Sequence, residues 1–181
     1  MKIAFVGSFS TGKTTLANLF AREWGYPLLP EVAREVVELG FPLDQNATAE
    51  TETLIFLKQW RAEASHDHFV ADRSIYDVLA YADWVMDQDR PPRKEDHLWV
   101  EARQIATGDL RARYDHVFYL PVEFPIVLDG LRPDDTWFQA DIDGRIRHLL
   151  ELADVAYDTL TGPIDRRQAQ VRAAVGTVSA L

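Results

Sequence analysis

Residues Gly7-Ser8-Phe9-Ser10-Thr11-Gly12-Lys13-Thr14 follow the pattern G-x-x-x-x-G-K-[ST], the spacing of a loop that grips a polyphosphate. Gly7 lets the chain leave the apolar run 3–6 sharply, and Gly12 lets the backbone approach an anion with no Cβ in the way. The amides of Ser8, Phe9, Ser10 and Thr11 can then point inward and cradle the anion. A helix opens at about Lys13, and its first-turn amides, Thr15 among them, favour negative charge. Lys13 is expected to reach the β- and γ-phosphates of ATP, and the Thr14 hydroxyl to ligate Mg²⁺. An accidental glycine turn is the competing explanation. Four fixed positions in a strand-loop-helix context weigh against it.

Asp72-Arg73-Ser74 closes the short apolar stretch 69–71. A carboxylate at a strand's end beside a phosphate loop can hold Mg²⁺ or take the proton of an attacking hydroxyl, and Asp72 is the candidate for both. Arg73 beside it can clamp a transferring or acceptor phosphate. The plainer role for Asp72 is capping the next helix, for which Ser74 is an equal candidate. Glu31 and Arg34 lie one helical turn apart near another strand's carboxyl end, where open α/β sheets bind ligands. They read equally well as a first-turn acid with a solvent-facing partner at i+3. Gln59 and Tyr76 are candidate acceptor contacts on two later helices. In Asp129-Gly130-Leu131-Arg132, Gly130 can hinge and Arg132 can fold over the γ-phosphate, with Arg145 as a second cation on the lid side.

These groups need a frame to bring them together. Leu16, Leu19, Phe20 and Trp24 recur at helical spacing after the loop, so the first helix packs one apolar face on a sheet. Further on, the pattern predicts a brief strand over 26–30, a helix over 31–39 and a long helix over 48–65. A strand ending at Asp72 and a helix from Ile75 to Val85 come next. A helix over 95–113, interrupted near Gly108, a strand over 115–120 and a helix capped by Asp141 continue the alternation. A weak last strand over 157–161 and a closing helix over 165–178 complete it. Between them, 121–140 reads as a long irregular span, the usual form of a lid.

The chain has 181 residues, 47% of them apolar, which suits one α/β domain over 1–181 with a lid at about 121–140. It has no cysteine and no apolar run of membrane-spanning length, and the first core strand starts at its N-terminus, so a cytoplasmic protein is expected. A formal charge of −10 repels polyanions, so nucleic acid is a disfavoured partner unless Arg90, Arg93, Arg111 and Arg113 form a local basic cleft. A homodimer is left open. The histidines have no metal-ligand spacing.

With these motifs in place, the chain resembles the P-loop kinases of the nucleoside and nucleotide kinase group. Within that group it is most similar to small ATPase/kinase domains related to the nicotinamide-riboside kinase part of bacterial NAD regulators. The resemblance implies a three-layer fold around a five-stranded parallel sheet in the order 2-3-1-4-5, with lid arginines closing on the phosphates. It implies that Asp72-Arg73-Ser74 matches the Asp/Glu-Arg-Ser step of deoxynucleoside kinases. Glu31 would be their strand-2 carboxylate that takes the acceptor proton, and Gln59 a looser match to a base-reading amide. The lid departs from the pattern in having no dense arginine cluster. The resulting expectation is Mg²⁺-assisted transfer from ATP to a small nucleoside- or nucleotide-like acceptor. The alternatives are an ATPase or nucleotide sensor acting on a protein partner, and a kinase of nucleic-acid termini or modified bases.

Overall fold

Strand β1 (Lys2–Val6) divides its side chains between two cores, because successive residues of a strand point to opposite faces. Ile3 and Phe5 pack with Leu16, Phe20 and Trp24 of helix α1 (Lys13–Trp24) and Val171 of α7 (Ile164–Val175). Ala4 and Val6 face the larger core, built from α2 (Val32–Glu38), α3 (Ala49–Ala64), α4 (Ile75–Met86) and α6 (Thr136–Leu152). Helix α5 (Asp96–Thr107) adds Trp99 to that layer. The computed structural model describes residues 1–88, 93–94, 96–107, 112–128 and 134–176.

The sheet is wholly parallel, in the order β2-β3-β1-β4-β5, with β2 at Leu28–Leu29, β3 at Phe69–Asp72, β4 at His116–Tyr119 and β5 at Asp158–Thr159. This is the expected P-loop kinase-type topology. The register sets Phe5 beside Asp72, so the loop after β1 and the turn after β3 leave the same edge of the sheet.

Gly7 is required at the first of these exits. Its φ is 144°, and a Cβ placed there would lie 2.4 Å from the Leu120 carbonyl oxygen. Gly7→Ala is expected to destabilise the chain by about 2–5 kcal/mol, through backbone strain and a clash with main chain that has nowhere to move. A thermal midpoint lowered by roughly 5–15 °C would show it.

Several expected features differ in the structure. Helix α6 begins at Thr136 and not at Asp141, because the Asp135 side chain accepts from the Phe138 amide and Phe138 is drawn into the core against Phe9 and Trp84. That shortens the irregular span 121–140 and puts Arg145 in the third turn of the helix. Ser74 caps α4, in a reciprocal box with Asp77, so Asp72 is released from that role. The last strand covers two residues of the five expected.

Candidate functional site

The phosphate-binding loop is held from behind by its own carbonyls. Ser8 O accepts from Lys13 Nζ at 2.5 Å and from Thr11 Oγ1 at 2.9 Å. Phe9 O accepts from Gln139 Nε2 of α6 at 2.7 Å, and Thr11 O from an Arg167 guanidinium nitrogen of α7 at 2.5 Å. In a trans peptide the carbonyl and the next residue's N–H point in opposite directions. Pulling the Phe9 and Thr11 oxygens outward therefore turns the amides of Ser10 and Gly12 inward. Ser10 at φ 58° and Gly12 at φ 96° complete the concave backbone that receives an anion. The Gly7 amide is fixed in turn by Asp77 Oδ1 at 3.0 Å, and the other oxygen of that carboxylate caps α4.

Arg167 is 2% exposed, pairs with Glu123 at 2.6 Å and lies over the Phe124 ring, so it is a cation built into the loop's support. Arg167→Met is expected to weaken ADP binding about tenfold, the size of one lost charged hydrogen bond. Calorimetric titration of ADP, with the thermal midpoint as a check on folding, measures it.

In front of the loop is a cleft of about 320 Å³ whose walls include Lys13, Thr14, Thr15, Glu31, Arg34 and Asp72. Phe9, Ser10, Thr11, Gly12, Arg73 and Val127 complete its lining. The Thr14 hydroxyl donates to Asp72 Oδ2 at 2.7 Å. A hydroxyl and a carboxylate side by side are hard oxygen donors that suit Mg²⁺, which takes its remaining ligands from phosphate and water. Among the described residues no group of three or more His, Cys, Asp or Glu stands ready to hold a metal unaided.

Across the cleft, Arg73 Nε donates to Glu31 Oε1 at 2.6 Å, while Arg34 Nε lies 3.2 Å from Glu31 Oε2. Glu31 is buried and sits at the N-cap position of α2 with no side-chain capping bond. Its carboxylate spans both arginines. Arg73 has φ 87°, a conformation uncommon outside glycine, and its amide still bonds Phe5 O at 3.1 Å. That bend at the end of β3 accompanies a guanidinium reaching Glu31 and Tyr81. Burial by itself would lower the Arg73 pKa, but Tyr81, Asp77 and Asp72 outweigh it and keep the group charged.

A family model described as an AAA domain matches residues 2–167. The chain belongs to this AAA-domain family. It is a P-loop kinase-like domain in fold, as three solved structures illustrate. Deoxyadenosine kinase from M. mycoides with dCMP and dCDP superposes at a TM-score of 0.71 with 13% identity, over 97% of this chain and 98% of that one. NadR in complex with NAD and AMP-PNP gives 0.71 and 19%, over 96% of this chain and 48% of the other, so the AAA-domain chain spans about half of NadR. Thymidylate kinase from Candida albicans gives 0.67 and 16%, over 96% and 90%. No curated protein matches the chain.

Several expected site residues of this AAA-domain chain lie away from the cleft. Gln59 is buried and donates to Glu63, which also accepts from Tyr114 at 2.6 Å and Arg113 at 2.5 Å. Tyr76 is fully buried beside the Tyr114 ring. Arg145 pairs with Asp87 at 2.6 Å and Asp141 at 3.3 Å, and does not line the cleft. Arg113 is spent in the interior between Glu63 and the Trp60 ring, which removes it from any basic cleft. Asp129, Gly130, Leu131 and Arg132, like Arg90 and Arg111, lie outside the described residues. The described part of the 121–140 span does reach the loop, since Val127 N donates to Ser10 Oγ at 3.2 Å. Gln139, Arg167 and Asp77 were invisible to sequence reasoning, because each acts on backbone atoms at least 70 residues away. Among the described residues no helix is long and apolar enough to cross a membrane.

Proposed function

We propose that this chain is a phosphotransferase that moves the γ-phosphoryl group of ATP to a hydroxyl of a small nucleoside- or nucleotide-like acceptor. The observation that carries this reading is the Glu31–Arg73 pair, which faces the same cleft as Lys13, Thr14 and Asp72. A hydrolase needs only water beside the γ-phosphate. A buried carboxylate locked by two guanidiniums is equipment for holding a second substrate.

In the proposed step the acceptor oxygen forms a bond to the γ-phosphorus as the bond to the β–γ bridging oxygen breaks, leaving ADP. The acceptor proton passes to Glu31. Loop amides and Lys13 take up charge on the phosphates, and Arg73 steadies the acceptor and the incoming phosphoryl group. Mg²⁺, held by Thr14 and Asp72, would supply electrostatic neutralisation of the β- and γ-oxygens. Arg132 is proposed as the lid cation and Arg34 as a further acceptor contact.

The first test offers γ-labelled ATP and Mg²⁺ with a panel of nucleosides, nucleoside monophosphates and nicotinamide riboside. Transfer of label to at least one is the expected result. ATP binding with no transfer to any member refutes the reading. The AAA-domain match favours a second one, ATP hydrolysis coupled to a protein partner. Its mark would be hydrolysis accelerated by a partner, with no small-molecule acceptor used.

A further inference from the structure

Helix α6 brings to the phosphate loop a negative charge that the proposed reaction does not use. Gln139 holds Phe9 O, and Asp143 follows four residues later on the same face of the helix. From the sheet, Tyr119 at the end of β4 donates its hydroxyl to Asp143 Oδ2 at 2.7 Å. Tyr119 stands beside Val6, the residue before Gly7, so this bond tethers the carboxylate near the point where the loop leaves the sheet.

Asp143 is 8% exposed, and Arg147 Nε lies 3.6 Å from the same oxygen that Tyr119 holds. The other oxygen, Oδ1, is buried and makes no hydrogen bond to any described residue. Leaving a buried carboxylate oxygen bare is costly, so its retention calls for a reason. Lys13, the loop's own cation, is near enough for its charge to act on this carboxyl. Burial pushes the Asp143 pKa up, while the Tyr119 bond, Arg147 and Lys13 oppose that push. The Lys13 ammonium meanwhile rests on protein oxygens, Ser8 O and Thr11 Oγ1.

We infer that Asp143 is a positioning residue that competes with the nucleotide's phosphates for Lys13. Its fixed charge draws the ammonium toward the protein side of the loop, so nucleotide is held less tightly than the loop amides and a free lysine would hold it. Such a device has a use. Binding substrate and transition state equally tightly does not speed the chemical step, and a loop that grips ADP too firmly delays its release. The inference concerns nucleotide binding alone, and it stands whether the γ-phosphoryl group goes to an acceptor or to water.

Calorimetric titration of the full chain with ADP, at a mildly alkaline pH where the carboxyl is ionised, tests it. Asp143→Asn keeps the shape and still accepts from Tyr119, but removes the charge. ADP is expected to bind it at least about fivefold tighter, a conservative size for deleting a unit charge near a bound anion. A residue that merely braces the fold would weaken binding when replaced, so the direction of the change is diagnostic. Tyr119→Phe leaves the charge in place, and its ADP affinity does not rise. In a Lys13→Met chain the gain from Asp143→Asn falls below about twofold, because the group through which Asp143 acts is gone. Asp143→Ser, also neutral and able to accept from Tyr119, is held to the same result. Unchanged or weaker ADP binding by both neutral variants, or a gain as large without Lys13 as with it, overturns the inference. Phosphoryl transfer separates it from the kinase reading. Tighter ADP binding by Asp143→Asn with no acceptor phosphorylated by the parent leaves the positioning role standing and refutes the kinase, whereas transfer with ADP affinity unaltered does the reverse.

Discussion

Lys13→Ala is expected to lower the rate of phosphoryl transfer by about a thousandfold or more, with the thermal midpoint within a few degrees of the parent. The rate falls because Lys13 is the cation built into the loop itself, 5% exposed and poised with its ammonium 2.5 Å from Ser8 O and 3.3 Å from Thr11 Oγ1. Arg34 and Arg73 also line the cleft, but Lys13 is the cation that the loop itself carries, so the charge that develops between the β- and γ-phosphates loses the loop's own counterion. Stability is spared for a specific reason. Thr11 Oγ1 already donates to the Ser8 carbonyl at 2.9 Å, so that oxygen keeps a partner when the ammonium goes. Single-turnover transfer at saturating ATP, alongside a melting curve, measures both effects. Near-parental turnover would mean that the loop does not hold the reacting phosphates.

Glu31→Gln should slow transfer by about a hundredfold to a thousandfold, the range for a lost general base, with ATP affinity within about twofold of the parent. The amide oxygen of glutamine can still accept from Arg73, but the side chain can no longer take a proton. The two guanidiniums at 2.6 and 3.2 Å stabilise the carboxylate, so Glu31 takes the proton late, when the acceptor oxygen has begun to bond phosphorus. Replacing it also leaves Arg73, 7% exposed, without a full counter-charge. A loss of about 1–3 kcal/mol in stability accompanies the kinetic change. Asp72 is the rival base, and its carboxylate is occupied by the Thr14 hydroxyl at 2.7 Å. An unchanged rate in Glu31→Gln would transfer the role to Asp72.

The parts of this site that were legible in the sequence are those whose chemistry is local. The loop was read from eight consecutive residues, because a chain that must turn, bare its amides and start a helix has few residue types to do it with. Asp72 was read from its place at the end of an apolar stretch. Its candidacy as a cap was ambiguous in sequence, since Ser74 caps as well, and the reciprocal bonds between Ser74 and Asp77 resolved it. Gln59 and Tyr76 read as acceptor contacts because an amphipathic helix shows which residues share a face, but not which neighbour that face meets. Both faces meet the Glu63–Tyr114 cluster inside the domain. The start of α6 was misplaced because Asp135 and Asp141 are equally good caps on paper. Burial of Phe138 against Phe9 and Trp84 chose between them.

The parallel sheet and its order 2-3-1-4-5 were implied by the resemblance to P-loop kinases and are present in the structure. By itself, the order of residues determined an alternation of strands and helices, a phosphate-gripping turn after the first strand and a carboxylate at the end of a later one. Each of these follows from short-range rules of periodicity, turn chemistry and chain exit. The tertiary structure alone decided that Gln139 and Arg167 hold the loop's carbonyls, that Glu31 is shared by Arg73 and Arg34, and that Asp143 is tethered by Tyr119. Those pairings join residues distant in the chain. Their energies depend on the burial and the dielectric that only the packed fold supplies.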